Sequence, residues 1–216
     1  MARFPLVLFD FDGTLADSGA GTVEALYRTM IEMGKEPLPR ERLCKFIGPP
    51  IWESFAEGMG FHGEALEKAI AVYREIYQEI SKEMLSTFPG TEDMLKALRS
   101  AGIKTAVATC KREETAQCQA RQLEIEDLLG DIVGLNESVN RITKADIIME
   151  ILRRYDVSPE NAVLVGDRLY DGEGAKAVGM PFLAVLYGYG DRDELVGYDP
   201  IAFVDSPKAL QDYLLK

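Results

Sequence analysis

Near its start the chain reads Phe4-Pro5-Leu6-Val7-Leu8-Phe9-Asp10-Phe11-Asp12-Gly13-Thr14, and much of the architecture follows from this segment. Its first part is a continuous apolar run, too short for a core helix, which is typical of a strand buried on both faces of a parallel sheet. Side chains two positions apart on a strand share a face, so Asp10 and Asp12 leave the end of this strand together. Gly13 then allows a sharp turn.

These two carboxylates predict a cation site. Close carboxylates repel each other unless one is protonated or a cation lies between them. Mg²⁺ takes oxygen ligands and commonly binds through one or two carboxylates together with a substrate phosphate. A strand that merely ends in an acidic turn explains one aspartate, but it explains the whole Asp-x-Asp-Gly-Thr pattern of residues 10–14 poorly.

The composition narrows the possible partners and the compartment. The chain has 216 residues and a net charge of -12, which argues against nucleic acid and anionic membranes, since both are bound through Lys and Arg. No apolar run approaches the roughly 18 residues of a membrane span. Met1-Ala2-Arg3 runs directly into the first strand, so we expect no signal peptide. Three cysteines without Cys-x-x-Cys spacing predict reduced thiols, and we therefore expect a cytoplasmic protein.

After the first strand the sequence predicts only helices for about seventy residues. The clearest of them carries an apolar stripe at helical spacing with charged residues opposite. The stripe is formed by Leu66, Ala69, Ile70, Tyr73, Ile76, Tyr77, Ile80 and Met84. We predict a helical cap domain over residues 17–87, inserted into a core made of residues 1–16 and 88–216.

From Phe88-Pro89-Gly90 onward, predicted helices and strands alternate. We expect strands over 103–108, 132–133, 162–165, 181–186 and 201–204, and helices over 91–100, 113–122, 144–155, 172–179 and 206–215. This alternation implies right-handed crossovers and an α/β fold, with a Rossmann-like parallel sheet covered by helices on both faces. Ligands of such sheets bind beyond the carboxyl ends of the strands, where the strand order reverses.

Four places put reactive side chains at such strand ends or at the helix starts that follow them. They are Asp10 with Asp12, Thr109 with Cys110 and Lys111, then Lys144, and finally Asp167 with Asp171. A hydroxyl and an ammonium suit a phosphate, and carboxylates suit a cation. Each place has a plain structural alternative as well: Thr109 as a helix cap, Lys144 as a solvated lysine, and Asp167 as an N-cap.

The order and spacing of these four places resemble the motifs of the haloacid dehalogenase superfamily, and the resemblance covers nearly the whole chain. Asp10 and Asp12 match the first motif, Thr109 the second, Lys144 the third, and Asp167 with Asp171 the acidic fourth. The helical insertion is similar to the type-one cap of that superfamily. Gly48-Pro49-Pro50 with Glu53-Ser54-Phe55 resembles a loop of its phosphoglycolate-phosphatase-like branch.

The resemblance implies a Mg²⁺-dependent phosphomonoesterase that acts on a small phosphate ester such as 2-phosphoglycolate or a nucleotide. Asp10 would attack phosphorus and form an aspartyl-phosphate, and Asp12 would act as general acid and base. Thr109, Cys110 and Lys144 would bind the phosphate. Four residues would hold the metal: Asp10, Asp12 through its backbone carbonyl, Asp167 and Asp171.

Other functions fit the sequence less well. Phosphomutases related to β-phosphoglucomutase usually carry Gly-Val and Glu-Asp where this chain has Gly13-Thr14 and Gly166-Asp167. A non-catalytic phosphate-binding regulator would lack a key carboxylate, and a dehalogenase would lack Asp12. Cys110 is followed by acidic residues rather than by a phosphate-cradling loop, which disfavours a cysteine-based phosphatase.

The cap is expected to choose the substrate. Its candidates for substrate contact are Arg28, Arg42, Lys45 and Trp52, although most Arg and Lys residues are simply solvated. The sequence leaves both a monomer and a homodimer open.

Overall fold

The computed structural model describes residues 4–216, so the first three residues of the predicted core segment lie outside it. Within this range the chain forms eight strands. They are β1 (Leu6–Phe9), β2 (Ala16–Asp17), β3 (Ser86–Thr87), β4 (Lys104–Arg112), β5 (Ile132–Leu135), β6 (Ala162–Gly166), β7 (Phe182–Val185) and β8 (Ala202–Val204).

The same residues form ten α-helices, several of them a single turn long. They are α1 (Gly19–Glu32), α2 (Arg40–Leu43), α3 (Ile51–Glu53), α4 (Glu64–Met84), α5 (Thr91–Ser100), α6 (Glu113–Gln122), α7 (Lys144–Tyr155), α8 (Leu169–Val178), α9 (Arg192–Leu195) and α10 (Pro207–Leu214). A π-helical turn, Ser54–Gly58, continues α3.

Six strands make one parallel sheet in the order β5-β4-β1-β6-β7-β8. The chain therefore builds one side of the sheet from β1, and then crosses back to build the other side from β6. The carboxyl ends of β4, β1 and β6 are neighbours at this reversal, which is where ligands of such sheets bind.

Helices cover both faces of the sheet, and the alternation of side chains along β1 shows why. Leu6 and Leu8 belong to a hydrophobic core shared with α7, α8 and α9. Val7 and Phe9 belong to a second core shared with α5, α6 and α10. Burial on both faces explains why the strand is apolar without interruption. The predicted α/β fold is confirmed.

Helices α1 to α4 lie between β2 and β3 and have a hydrophobic core of their own, which includes Leu26, Leu43, Phe55 and Tyr73. Strands β2 and β3 pair antiparallel, with Ala16 opposite Thr87, where the chain enters and leaves this helical unit. No helix among the described residues has both the length and the apolar character needed to cross a membrane.

Several elements differ from the sequence prediction. Strand β4 continues past residue 108 to Arg112, because a register shift lets its polar end pair with Leu135 of β5. Helix α8 begins at Leu169 rather than at 172, and the Asp171 carboxylate accepts the Arg168 backbone N–H just before it. Strands β2 and β3 and helix α9 were not predicted.

Candidate active site

Three neighbouring strands deliver polar side chains to one end of the sheet. Asp10 directly follows β1, Asp167 directly follows β6, and Thr109 lies in the last part of β4. All three side chains are buried. Parallel strands end at the same edge, so the sheet itself brings together residues that lie far apart in the sequence.

Lys144 occupies the centre of this edge. Its Nζ lies 2.6 Å from Asp10 Oδ1 and 2.6 Å from Asp171 Oδ1. A cation at a helix N-terminus is unfavourable for the helix dipole, and burial by itself lowers the pKa of a lysine. The two carboxylates outweigh that burial and raise the pKa of Lys144 above its ordinary value. Gly174 leaves room for this side chain, since a Cβ there would lie 2.6 Å from Lys144 Cγ.

The carboxylates of Asp10, Asp167 and Asp171 form a cluster whose candidate ligand atoms all lie within 4.8 Å of one another. Burial raises the pKa of Asp10 to about 7, with Lys144 opposing the rise and Asp171 adding to it. Burial, reinforced by Asp171 and Asp10, raises the pKa of Asp167 well above its ordinary value. Lys144 pairs with two of these three buried carboxylates, so negative charge is left over and the cluster fits a hard dication with oxygen ligands.

The Asp167 carboxylate is held by the backbone around it. Its Oδ2 accepts the Tyr189 backbone N–H at 2.7 Å, and its Oδ1 lies 3.5 Å from the Thr14 hydroxyl. Gly13 has φ +87°, and a Cβ at this position would lie 2.2 Å from Asp167 Oδ2. Glycine is therefore required at the turn after β1 both for its conformation and for the space it leaves to Asp167.

Asp12 is not one of the three clustered carboxylates, and its Oδ1 accepts hydrogen bonds from Lys111 Nζ at 2.8 Å and from the Ser18 hydroxyl. Lys111 Nζ also lies 3.4 Å from the Tyr77 hydroxyl of α4. Burial by itself would lower the pKa of Lys111, but Asp12 and Tyr77 outweigh it and raise that pKa. The carboxylate of Asp12 thus lies between the sheet and the helical unit, and the predicted metal contact of its backbone carbonyl stays a prediction.

Thr109 and Cys110 lie next to the cluster. The Thr109 hydroxyl accepts the Lys111 backbone N–H at 3.2 Å. Helix α6 starts after Arg112 without a side-chain cap, so Thr109 is not its helix cap. Burial raises the pKa of the Cys110 thiol to about 12, with Lys144 opposing and Asp10 adding to the rise. Cys110 therefore stays a neutral thiol at physiological pH and is a poor nucleophile.

The four cap residues proposed for substrate contact have no described bond to these groups. Arg28 pairs with Glu24, and Trp52 is 50% exposed. Arg42 and Lys45 are exposed as well.

Sequence reasoning also missed side chains that the structure brings to the site. They are Ser18, Glu53, Arg168, Tyr170 and Tyr189. Two signals could have pointed to some of them. Glu53 follows the Gly48-Pro49-Pro50 break, and Tyr170 lies between the two aspartates of the fourth motif.

Comparison with known protein families and proteins agrees with this arrangement. The family described as haloacid dehalogenase-like hydrolase matches residues 7–185. The tyrosine-protein kinase PtkA of Mycobacterium tuberculosis is 39% identical over 189 residues, which are 87% of this chain. The chain spans 64% of the length of PtkA.

Other relatives match over nearly their whole length. A 5′-nucleotidase of Pseudomonas aeruginosa is 30% identical over 98% of this chain and 96% of that protein. A phosphoglycolate phosphatase of Rhodospirillum rubrum is 30% identical over 96% of this chain and 90% of that protein. The solved structure of a haloacid dehalogenase-like hydrolase from Streptococcus pneumoniae superposes with a TM-score of 0.90, at 30% identity and with 99% of both chains covered.

Proposed function

The chain belongs to the haloacid dehalogenase-like hydrolases, and from this premise we propose that it is a Mg²⁺-dependent phosphomonoesterase for a small phosphate ester. The observation that carries the proposal is the buried cluster of Asp10, Asp167 and Asp171 around Lys144. Burying carboxylates together costs free energy, so such a cluster destabilises the protein unless a bound ligand offsets that cost.

In the first half of the reaction Asp10 is the nucleophile. One of its carboxylate oxygens attacks phosphorus, and the bond between phosphorus and the ester oxygen breaks. Asp12 donates a proton to the departing alcohol, so no free alkoxide is released. The product is a phosphoryl group bound to Asp10.

In the second half of the reaction the phosphoryl group is transferred from Asp10 to a water molecule, with Asp12 as the base. Asp12, now ionised, takes a proton from a water molecule that attacks phosphorus, and the bond to Asp10 breaks. Phosphate leaves, Asp10 regains its carboxylate and Asp12 its proton. Asp12 accepts hydrogen bonds from Lys111 and Ser18, whereas Asp10 pairs with Lys144, so the two acids have different surroundings that suit their separate roles.

Positive charge at the site comes from Lys144 and from the metal. Asp10, Asp167 and Asp171 would hold Mg²⁺, which when bound supplies the charge that keeps these carboxylates ionised and draws electrons from phosphoryl oxygens. Lys144 stabilises negative charge on the transferring group from its position between Asp10 and Asp171. The Thr109 hydroxyl and nearby backbone N–H groups add hydrogen bonds.

The helical unit of residues 17–87 serves as a cap over this site. Tyr77 of α4 contacts Lys111, and Glu53 at the end of α3 contacts Tyr170, so the unit touches the core at two places. Closure of the cap keeps bulk water from the aspartyl-phosphate and brings cap residues to the leaving group.

The test is an assay of p-nitrophenyl phosphate with Mg²⁺ and with a chelator, using wild type and Asp10→Asn. We expect Asp10→Asn to lower kcat at least a thousandfold and chelation to abolish turnover. The matched control is Asp193→Asn, which changes an exposed aspartate far along the chain. Undiminished turnover by Asp10→Asn would refute the role of Asp10 as nucleophile. Turnover that survives chelation would refute the dependence on Mg²⁺.

Transfer to a sugar, as in a phosphomutase, is less well supported. The glutamate usual at position 166 in such enzymes has no room here, since a Cβ on Gly166 would lie 2.2 Å from Asp171 Cγ. Product analysis with a hexose phosphate separates the two reactions, because a mutase yields an isomer and a phosphatase yields free phosphate.

The likeness to a tyrosine-protein kinase supports a second candidate, in which Asp10 takes part in moving a phosphoryl group from ATP to a tyrosine hydroxyl. Incubation with γ-labelled ATP and a tyrosine peptide distinguishes the candidates. Labelled phosphotyrosine indicates the kinase reaction, and labelled free phosphate indicates hydrolysis.

A further inference from the structure

A loop of the cap rests directly on the first turn of α8, the turn that carries Asp171. The Arg168 guanidinium donates a buried hydrogen bond to the Ile47 carbonyl, and the Tyr170 hydroxyl donates one to the Glu53 carboxylate. Gly48 fits against Arg168, since a Cβ there would lie 2.8 Å from Arg168 Cγ. These contacts fix where Glu53 lies relative to the carboxylate cluster.

Glu53 lies close to the candidate catalytic groups, because its hydrogen-bond partner Tyr170 is the residue directly before Asp171. Cys110, the residue after Thr109, has a thiol whose pKa is raised by burial, and both Asp10 and Glu53 add to that rise. The thiol is therefore within electrostatic reach of both carboxylates. Glu53 and Cys110 are both half-buried.

The nearby cations are already paired. Lys144 binds Asp10 and Asp171, and Lys111 binds Asp12. Arg168 binds Glu194 and the Ile47 carbonyl. Glu53 receives only the neutral Tyr170 hydroxyl among the bonds described for it. A leaving group beside Glu53 thus meets an acceptor that carries a negative charge.

Building on the phosphomonoesterase function above, we propose that Glu53 selects the substrate by its leaving alcohol. It accepts a hydrogen bond from alcohols that carry a further hydroxyl or an ammonium group, and it repels alcohols that carry a carboxylate. The substrate class is then the phosphate ester of a polyol, sugar, nucleoside or amino alcohol, and phosphorylated hydroxy acids such as 2-phosphoglycolate are poor substrates. Repulsion of like charges across a short, partly desolvated distance is the physical basis.

Three phosphate esters of matched size test this selection: 2-hydroxyethyl phosphate, O-phosphoethanolamine and 2-phosphoglycolate. We expect wild type to show at least a tenfold lower kcat/KM for 2-phosphoglycolate than for 2-hydroxyethyl phosphate. In Glu53→Gln the kcat/KM values of these two substrates should lie about tenfold closer together, which corresponds to about 1.4 kcal/mol. The ratio is measured within one sample, so it does not depend on how much of a variant is folded.

Two further variants show whether the effect belongs to the charge of Glu53. Glu53→Asp keeps the charge and should retain the discrimination. Glu57→Gln removes an exposed carboxylate one helical turn away and should leave the ratio at its wild-type value. Faster turnover of O-phosphoethanolamine than of 2-hydroxyethyl phosphate indicates an ammonium ligand, and the reverse order indicates a hydroxyl ligand; either order supports the proposal.

Two results would overturn the role of Glu53 while leaving the phosphatase function intact. The first is a wild-type enzyme that prefers 2-phosphoglycolate, a measurement that needs no variant. The second is an unchanged ratio in Glu53→Gln. If wild type hydrolyses neither these esters nor p-nitrophenyl phosphate, the proposed function fails and this inference fails with it.

Discussion

Asp10→Asn is expected to stabilise the metal-free protein at neutral and alkaline pH, although the same change removes the proposed nucleophile. The reason is that Asp10 is buried among carboxylates, and burial raises its pKa from 3.8 to about 7 against the opposing attraction of Lys144. Asparagine has nearly the same shape and carries no charge. The wild-type protein must bear the cost of ionising Asp10, and the variant does not.

The magnitude and its pH dependence follow from that shift. A rise of about 3 pKa units corresponds to about 4 kcal/mol at 1.36 kcal/mol per unit. Because the folded pKa lies above the unfolded one, the cost is fully present above about pH 7, where both states are ionised. Between the folded and unfolded pKa values the cost falls by about 1.4 kcal/mol for each unit by which the pH decreases, because only the folded protein takes up a proton there. Below the unfolded pKa the cost vanishes.

Urea unfolding in the presence of a chelator measures this difference. We expect Asp10→Asn to exceed wild type in free energy of unfolding by about 4 kcal/mol at pH 8, about 3 at pH 6 and about 2 at pH 5. Asp193→Asn serves as the exposed control and should follow wild type at every pH. Added Mg²⁺ should stabilise wild type more than Asp10→Asn, because only wild type offers the complete cluster.

A difference that does not change with pH would refute the reasoning, since it would show that Asp10 titrates alike in the folded and unfolded states. An Asp10→Asn protein less stable than wild type at pH 8 would refute it as well. That result would mean that the attraction of Lys144 outweighs the burial of Asp10.

Three further predictions concern the groups around the cluster. Gly13→Ala should weaken Mg²⁺ binding at least tenfold by calorimetry, because its Cβ would displace the Asp167 carboxylate, whereas Gly102→Ala, at φ +74° with nothing within 4 Å, should change stability alone. Lys144→Met should destabilise the metal-free protein at pH 8 by about 3–5 kcal/mol in urea unfolding, since it leaves buried carboxylates unpaired. Lys111→Met should lower kcat about a hundredfold with little change in Mg²⁺ affinity, because it removes the lysine that binds Asp12, the proposed acid and base, and leaves the cluster unchanged.

Much of the fold could be predicted because its signals are local. Helices α5, α6 and α7 begin and end at the residues predicted, since each is a clear amphipathic segment. The far end of β4 was missed because Thr109, Cys110, Lys111 and Arg112 are polar and become strand only by pairing with β5. Strands β2 and β3 were missed because two-residue strands exist only once distant segments meet.

For the candidate site, too, some residues could be named from the sequence, while other contacts became visible only in the structure. Asp10, Lys144, Asp167 and Asp171 could be named from the sequence because each follows an apolar strand or opens a helix. Lys111 could be named only as the neighbour of Thr109 and Cys110 at a strand end, and the structure adds that it lies half-buried against Asp12 and Tyr77. Glu53 could be placed in a loop after Gly48-Pro49-Pro50, but its bond to Tyr170, which lies outside the helical insertion, exists only in the folded chain.

The sequence by itself determined the α/β class, the helical insertion and the strand-end positions of the acidic residues, because hydrophobic periodicity and short motifs act over a few residues. Only the tertiary structure decided which charges neutralise one another and which stay available to a ligand. That outcome depends on distances between segments more than a hundred residues apart, such as the 2.6 Å from Lys144 to Asp10, and electrostatic energy depends on distance and burial rather than on residue order.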